Sequence, residues 1–192
     1  MANQRYRAVL EYWFGSNSGP DLWFGGSEAV DREIRDLFLE DLQDAIAGKL
    51  SAWEESHEGT VALVVLLDQF SLQLYRDQRV GYDWAALAVP VAERALEKDF
   101  DRKVSFAQRA FLYMPYMHAE NLELQEKGVR LFSALAAECA PENRESAQNF
   151  LNFSRVHRDV VAKFGRFPGR NECYGRENSV EEQSYLNEGG HF

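Results

Sequence analysis

Three arginines lie close together near the end of the chain, in a stretch that glycine and proline interrupt. This segment, Phe164–Arg176, reads FGRFPGRNECYGR. Guanidinium groups bind carboxylates and phosphates through paired hydrogen bonds, and glycine lets a backbone approach a ligand closely. A helix predicted to begin at Ser179 would add its N-terminal amides to an anion site. The segment therefore predicts an anion-binding loop, whose candidate ligand-binding residues are Arg166, Arg170, Asn171 and Arg176.

The charge of the chain offers these arginines two kinds of partner. The 192 residues include 21 Lys and Arg against 31 Asp and Glu, for a net charge of −10. Between Arg155 and Arg176, six basic residues stand against two acidic ones. A basic segment in an acidic chain favours a small anionic ligand or an acidic peptide, and the net charge argues against nucleic acid and anionic membranes. The structural alternative is that the arginines bind acidic helices of the chain itself.

A second candidate group, Asp68, lies in the most apolar part of the chain, on a helix that Thr60 is predicted to cap. Burying an unpaired carboxylate is costly, so Asp68 must be paired, protonated or directed into a cavity. The structural interpretation is an ion pair with Arg166 or Arg170, and the functional interpretation is a site carboxylate. In either case we expect Asp68 to lie close to the late arginines.

Three polar residues follow Asp68 at helical spacing, namely Gln69, Gln73 and Arg76. Residues at such spacing share one face of a helix. This face is either a solvated edge or one polar wall of a groove. In the second case, Gln69 and Arg76 would help to bind the anionic ligand.

His118 and Glu120 supply the remaining candidates for chemistry. In a regular helix, residues two apart point in different directions, so the pair does not predict a metal site. A hydrogen-bonding role at a helix start suits Glu120 better. The enzyme alternative is a hydrolase or transferase in which Asp68 or Glu120 is the acid or base and His118 its partner. No established catalytic motif supports this alternative, and no cofactor is predicted. His157, on an apolar helix face, is interpreted as a core residue.

The elements that must position these residues are helices. Helical periodicity runs through nearly the whole chain, no strand alternation occurs, and short connections predict about eight helices in antiparallel hairpins. With 45% hydrophobic residues, residues 1–192 are predicted to form a single all-α domain. The start and stop signals are Gly15, Gly48, Ser27, Thr60, Asp83, Pro90, Pro115, Pro141, and capping boxes at Ser105–Gln108 and Ser179–Glu182. The segment Gly15–Gly26 is predicted to be a loop.

Several motifs occur in a fixed order along this helical pattern. They are EYWFG at 11–15, DLWFG at 21–25, LLDQF at 66–70 with YR at 75–76, FLYMPYMHAE at 111–120, and the arginine segment. Together they resemble the bacterial DUF924 family, a family of unknown function. The resemblance implies a tetratricopeptide-like stack of helical hairpins with a concave face, and no established activity.

The chain departs from the family pattern at two polar motifs. After LLDQF the family usually has Pro-Arg-Asn, where this chain has Ser71, Leu72 and Gln73. In the arginine segment the family usually has His before Arg, where this chain has Gly169. An arginine and a histidine are therefore missing. Leu72 and Gly169 raise the question of whether an activity of the family is altered in this chain.

The remaining sequence features indicate the cellular compartment of the protein. The first residues lack the apolar core of a secretory signal, and the longest apolar run, Val61–Leu67, is far shorter than the roughly 20 residues that span a bilayer. Cys139 and Cys173 lack the spacing of a zinc site or disulfide framework. We therefore expect a cytoplasmic protein without membrane contact. A homo-oligomer is compatible with the sequence. A protein-interaction scaffold with exposed apolar rows is a third alternative for its function.

Overall fold

The computed structural model describes residues 2–16, 18–190 and 192. Within these residues the chain forms helices joined by turns, and no strand occurs. The prediction of an all-α protein is confirmed. Contacts divide the helices into two compact units, the first of Met1–Arg76 and Val80–Pro115 and the second of Asp77–Arg79 and Tyr116–Phe192. The single domain and the tetratricopeptide-like stack of hairpins stay predictions.

Among the described residues, eight α-helices precede residue 119. They are α1 (Ala2–Phe14), α2 (Pro20–Phe24), α3 (Glu28–Ile46), α4 (His57–Val64), α5 (Ser71–Leu74), α6 (Arg79–Ala85), α7 (Ala88–Glu97) and α8 (Phe106–His118). Short 3₁₀ turns at Ser51–Glu55 and Phe100–Lys103 precede α4 and α8, and a π-helical turn, Val65–Phe70, joins α4 to α5.

The helix starts follow local hydrogen bonding. The Ser27 hydroxyl accepts a hydrogen bond from the Val30 N–H at 3.2 Å, which confirms Ser27 as the cap of α3. The predicted cap at Thr60 is wrong, because the Ser56 hydroxyl accepts the Gly59 N–H at 3.1 Å and α4 begins at His57. Thr60 is instead buried inside α4.

Proline and Asp83 behaved differently from expectation at three places. The predicted loop Gly15–Gly26 contains α2, which Pro20 opens at its first position. Asp83 does not start a helix, because α6 already begins at Arg79. Pro115 does not interrupt α8, since every residue of 111–117 is buried and this burial outweighs one lost backbone hydrogen bond. The predicted restart near Pro90 is confirmed, because α7 begins at Ala88.

The core of the first unit lies around α4 and the π-helical turn. All residues from Val61 to Phe70 are buried, as suits the most apolar part of the chain. The Phe70 ring lies 5.3 Å from the Trp13 ring and 5.4 Å from the Phe38 ring, between centroids. The π-helical geometry was not predicted, and such turns often occur at functional sites.

The second unit contains α9 (Leu122–Glu138), α10 (Arg144–Phe164) and α11 (Val180–Asn187), with 3₁₀ turns at Pro141–Asn143 and Pro168–Arg170. Helices α9 and α10 pack along each other, and their Phe132 and Phe150 rings stack with centroids 5.9 Å apart. The capping box at the start of α11 is confirmed, with Ser179 and Glu182 each accepting the other's backbone N–H.

Candidate functional site

The arginine loop, residues 165–176, begins where α10 ends. Gly165 has a backbone φ of 72° and Gly175 one of 64°, both in the left-handed region that favours glycine. Directly after the second glycine, the Arg176 N–H donates to the Asn171 carbonyl at 2.8 Å. The two glycines therefore allow the turns that bring the side chains of the loop back onto the second unit.

Arg166 binds Glu182 on α11. Its Nε donates to Glu182 Oε1 at 2.6 Å and its Nη2 donates to Oε2 at 2.9 Å. The hydrogen bonds from Arg166 and from the Ser179 N–H lower the pKa of the Glu182 carboxyl to about 2, although burial opposes this shift. The carboxylate that completes the capping box therefore also connects the arginine loop to α11.

Arg176 binds Glu120 in the same two-point geometry. Its Nη1 donates to Glu120 Oε2 at 2.7 Å and its Nη2 donates to Oε1 at 3.0 Å. The Phe167 N–H also donates to Oε1, at 2.8 Å. Burial raises the pKa of Glu120, but the hydrogen bonds from Arg176 and Phe167 more than offset it, and the pKa lies below its ordinary value. Arg166 and Arg176 thus bind carboxylates of the chain, as the structural alternative predicted.

Arg170 makes contacts of a different kind. Its Nη1 donates to the His118 carbonyl at 2.9 Å, and its guanidinium carbon lies 4.4 Å from the centroid of the Phe167 ring. Cation–π stacking and the carbonyl contact together orient the guanidinium group. Arg170 is partly exposed.

Asn171 is buried inside the loop. Its side-chain amide donates to Asn178 Oδ1 at 2.7 Å, and a hydrogen bond from Asn171 also helps to lower the pKa of Glu182. These contacts connect the loop to the start of α11. A direct contact between Asn171 and a ligand stays a prediction.

His118 and Glu120 do not cap the helix that follows them. His118 is the last residue of α8, and the side chain of Asn121 caps α9 by accepting the Leu124 N–H at 3.0 Å. Glu120 instead bridges to the arginine loop, 56 residues away along the chain. The predicted helix-start role of Glu120 is therefore wrong, because its carboxylate binds Arg176 and the Phe167 N–H.

His157 on α10 lies close to His118 and to Phe167 of the arginine loop. Its interpretation as a core residue did not predict these contacts. It is buried, as predicted, and its Nδ1 donates to the Phe153 carbonyl at 2.8 Å. The His157 and His118 ring centroids are 6.3 Å apart. Burial, reinforced by the nearby charges of His118 and Arg170, lowers the pKa of His157 to about 3. His157 is therefore neutral at physiological pH.

The candidates in the first unit contact that unit's own residues. Asp68 and Gln69 are buried in the π-helical turn, where Gln69 Nε2 donates to Asp68 Oδ2 at 2.5 Å and lies 3.4 Å from Met114 Sδ. Arg76 binds Asp31 on α3, at 2.5 Å from Nη1 and 2.8 Å from Nη2. Of the predicted polar face, Gln69 is buried and Arg76 is exposed, so the two lie in different environments.

Gln73, the third residue of that face, donates from Nε2 to the Leu22 carbonyl at 3.1 Å, which connects α5 to α2. Asp68 belongs to the first unit and the loop arginines to the second. The pairing of Asp68 with Arg166 or Arg170 stays a prediction, and so does its convergence with His118 and Glu120.

Residues 2–16, 18–190 and 192 contain no group of three or more His, Cys, Asp or Glu side chains placed to bind a metal ion. In the same residues, no helix combines the length and the apolar character that crossing a bilayer requires.

Comparison with known proteins agrees with the motifs and the helical fold. A family described as bacterial protein of unknown function, DUF924, matches residues 9–190. The chain belongs to the DUF924 family. A solved structure of a protein of unknown function from Agrobacterium tumefaciens, ATU0120, is 32% identical over 98% of this chain and 100% of that one, with a TM-score of 0.87. None of the curated proteins matches the chain.

Within this DUF924 protein, the two departures from the family pattern have separate surroundings. Leu72 is partly buried in α5. Gly169 lies in the 3₁₀ turn of the arginine loop, where its N–H donates to the Phe192 backbone oxygen at 2.7 Å. That either departure alters an activity of the family stays a hypothesis.

Proposed function

We propose that this DUF924 protein is a helical binding protein for a small anionic ligand or an acidic peptide, with Arg170 as the main contact. The observation that carries the proposal is the orientation of the partly exposed Arg170 guanidinium by contacts that include the His118 carbonyl and the Phe167 ring. Orienting a binding group in advance reduces the entropy that ligand binding costs.

The chemistry of guanidinium groups suits this role. Arginine has five N–H donors in a planar fork, and this fork binds the oxygens of a carboxylate or phosphate through paired hydrogen bonds. The partial exposure of Arg170 gives a ligand access to it. In this proposal, Arg166 and Arg176 shape the loop around Arg170, while Gln69, Arg76 and Asn171 remain predicted contacts that only a bound complex would test.

The loop already stabilises carboxylates of its own chain. Glu120 receives two donors from Arg176 and one from the Phe167 N–H. The pKa of Glu120 and that of Glu182 both lie below the ordinary value, so the surroundings of the loop favour negative charge. An external carboxylate or phosphate of similar size would meet the same field.

The enzyme alternative has weaker support. A general acid must carry a proton at the working pH, whereas the lowered pKa of Glu120 keeps its carboxyl ionised at neutral pH. Both Glu120 oxygens also accept hydrogen bonds within the loop. Exposed apolar side chains among the described residues support the scaffold alternative, and on α10 they are Phe153 and Val156. Two residues form a surface much smaller than the roughly 800 Å² that each partner buries in a stable interface.

Calorimetric titration with inorganic phosphate, citrate and a triglutamate peptide tests the proposal. We expect at least one probe to bind, and Arg170→Gln to weaken that binding by about tenfold or more, as expected for a charge-assisted hydrogen bond. Arg155→Gln is the matched control, because Arg155 is an exposed arginine on α10 and its loss should change affinity less than about twofold. Unchanged binding in Arg170→Gln, or no binding by any probe, would refute the proposal.

A further inference from the structure

Phe192 lies in an aromatic socket that consists of His157, Phe167 and Gly169. Its ring centroid is 3.9 Å from that of His157 and 6.2 Å from that of Phe167. Its backbone oxygen accepts the Gly169 N–H at 2.7 Å. Phe192 is partly buried and packs against the apolar cluster of Val160, Val161 and Phe167.

A turn after α11 directs the chain back toward this socket. Gly189 has a backbone φ of 93°, in the left-handed region where glycine is favoured. The Gly190 N–H donates to the Tyr185 carbonyl at 3.0 Å, and the Tyr185 ring packs on the Phe164 ring with centroids 5.3 Å apart. The position of Phe192 is thus supported by ordered neighbours in the second unit.

The aromatic socket adjoins Arg170 through Phe167 and Gly169. Phe167 contacts the Phe192 ring and also carries the Arg170 guanidinium at 4.4 Å. Gly169, which donates to the Phe192 backbone oxygen, directly precedes Arg170 in the chain. The Phe192 ring and the Arg170 guanidinium therefore both contact the Phe167 side chain.

His157 contributes an uncharged aromatic ring to the aromatic socket. Its Nδ1–H donates to the Phe153 carbonyl, which holds the ring in one orientation. Because its pKa is about 3, His157 is neutral at physiological pH. A neutral imidazole at 3.9 Å from a phenyl ring is an aromatic packing partner of the usual kind.

We propose that Phe192 occupies an aryl-binding subsite next to Arg170, and that the ligand of this protein carries an aromatic ring beside its anionic group and displaces Phe192 when it binds. The anionic half of this inference rests on the proposed function, whereas the aryl half rests on the aromatic socket alone. Phe192 then acts as an internal competitor that lowers the apparent affinity for the ligand.

Phe192 is suited to displacement because its ring is only partly buried. Among the described residues, Phe192 has one backbone hydrogen bond, that from Gly169, and a ring that is only partly buried. A competitor that occupies a site most of the time reduces the apparent affinity by the fraction of time that the site is open. Removing the Phe192 ring should therefore raise the affinity for an aryl anion and leave that for a compact anion nearly unchanged.

Titration with phenyl phosphate and inorganic phosphate tests the inference on the full chain. We expect Phe192→Ala to bind phenyl phosphate about fivefold or more tighter than the unsubstituted protein, and inorganic phosphate with less than about twofold change. The matched control is Phe24→Ala, since Phe24 is 60% exposed in the first unit and should change neither affinity. A thermal melt of each variant checks folding, and Phe192→Leu, which keeps an apolar side chain but removes the ring, replaces Phe192→Ala if that variant unfolds.

Each outcome decides one half of the inference. If phenyl phosphate binds no tighter than inorganic phosphate in Phe192→Ala, the aryl subsite is refuted even though the anion site stands. If neither anion binds any variant, the proposed function is refuted. The socket is then judged with the neutral probe benzyl alcohol in Phe192→Ala: shifted NMR signals of the His157 ring support the aryl subsite, and unshifted signals overturn it.

Discussion

The π-helical turn around Asp68 and the loop around Arg170 stabilise polar groups in different ways. Asp68 and Gln69 lie in a helix whose residues from Val61 to Phe70 are all buried, so their polar atoms are surrounded by a packed core. The arginine loop lies at a partly exposed edge of the second unit, where carboxylates bind guanidinium forks. Apolar burial dominates the first region, and charge pairing dominates the second.

This difference predicts whether the stability of each region responds mainly to lost side-chain volume or to pH. Core packing responds strongly to lost volume and hardly to pH. Ion pairs with lowered carboxyl pKa values respond to protonation, because a neutral carboxyl no longer binds its arginine as strongly. Substitutions in the two regions should therefore differ both in size and in pH dependence.

The largest effect is expected in the core of the first unit. Phe70→Ala removes a fully buried ring that packs on Trp13 and Phe38, and should lower the free energy of unfolding by about 3–5 kcal/mol. Urea denaturation at neutral pH measures the loss. Phe24→Ala is the control, because Phe24 is 60% exposed and should cost less than about 1 kcal/mol. Equal losses for the two variants would contradict a core centred on the π-helical turn.

A smaller effect is expected when the charge of Glu120 is removed. Glu120→Gln keeps the shape of the side chain but leaves Arg176, whose side chain is 23% exposed, without its charged partner. We expect a loss of about 2 kcal/mol in the free energy of unfolding, again measured in urea. Glu126→Gln, at an exposed position of α9, should change stability by less than about 0.5 kcal/mol. A loss no larger than that of the control would show that the Glu120–Arg176 pair contributes little.

The smallest expected effect is a change in how steeply Tm falls in acid, and it concerns Glu182. Its folded-state pKa of about 2 lies below the ordinary value of 4.5, so the unfolded chain binds the proton first. The stability that Glu182 contributes is then fully present above the unfolded pKa and is lost as pH falls from 4.5 toward 2. Thermal melts from pH 6 to pH 2.5 should show a flatter decline in Tm for Glu182→Gln than for the exposed-site control Glu181→Gln. Parallel profiles would mean that Glu182 is not a source of the acid sensitivity.

Local signals in the sequence predicted most helix ends but not all. The caps at Ser27 and Ser179 were correct because a side chain bonds a backbone group three residues away. Thr60 was wrong because Ser56 offers the same chemistry one turn earlier. Pro115 was wrong because the burial of its neighbours outweighs one missing hydrogen bond. Local hydrogen bonding therefore limits where helices can end, and tertiary packing determines which of these ends form.

The candidate site divides in the same manner. The motifs indicated the family and located the arginine loop, and the alternative that its arginines bind acidic helices was already open. The cap at Asn121 and the ring contacts of His157 with His118 and Phe192 were not predicted, since asparagine occurs at several loop positions and contacts between distant residues leave no local signal. The subsite around Phe192 could not be found from spacing, because it depends on where the chain returns after α11.

By itself, the sequence determined the helical class, the family and the position of a cationic, glycine-broken loop, because periodicity, capping and motif order are local properties of the chain. Only the tertiary structure decided which carboxylate each arginine binds. Arg166 and Glu182 are 16 residues apart and Arg176 and Glu120 are 56 apart. Such pairs form only when distant segments fold against each other, and a net charge of −10 leaves many acidic partners from which the fold must choose.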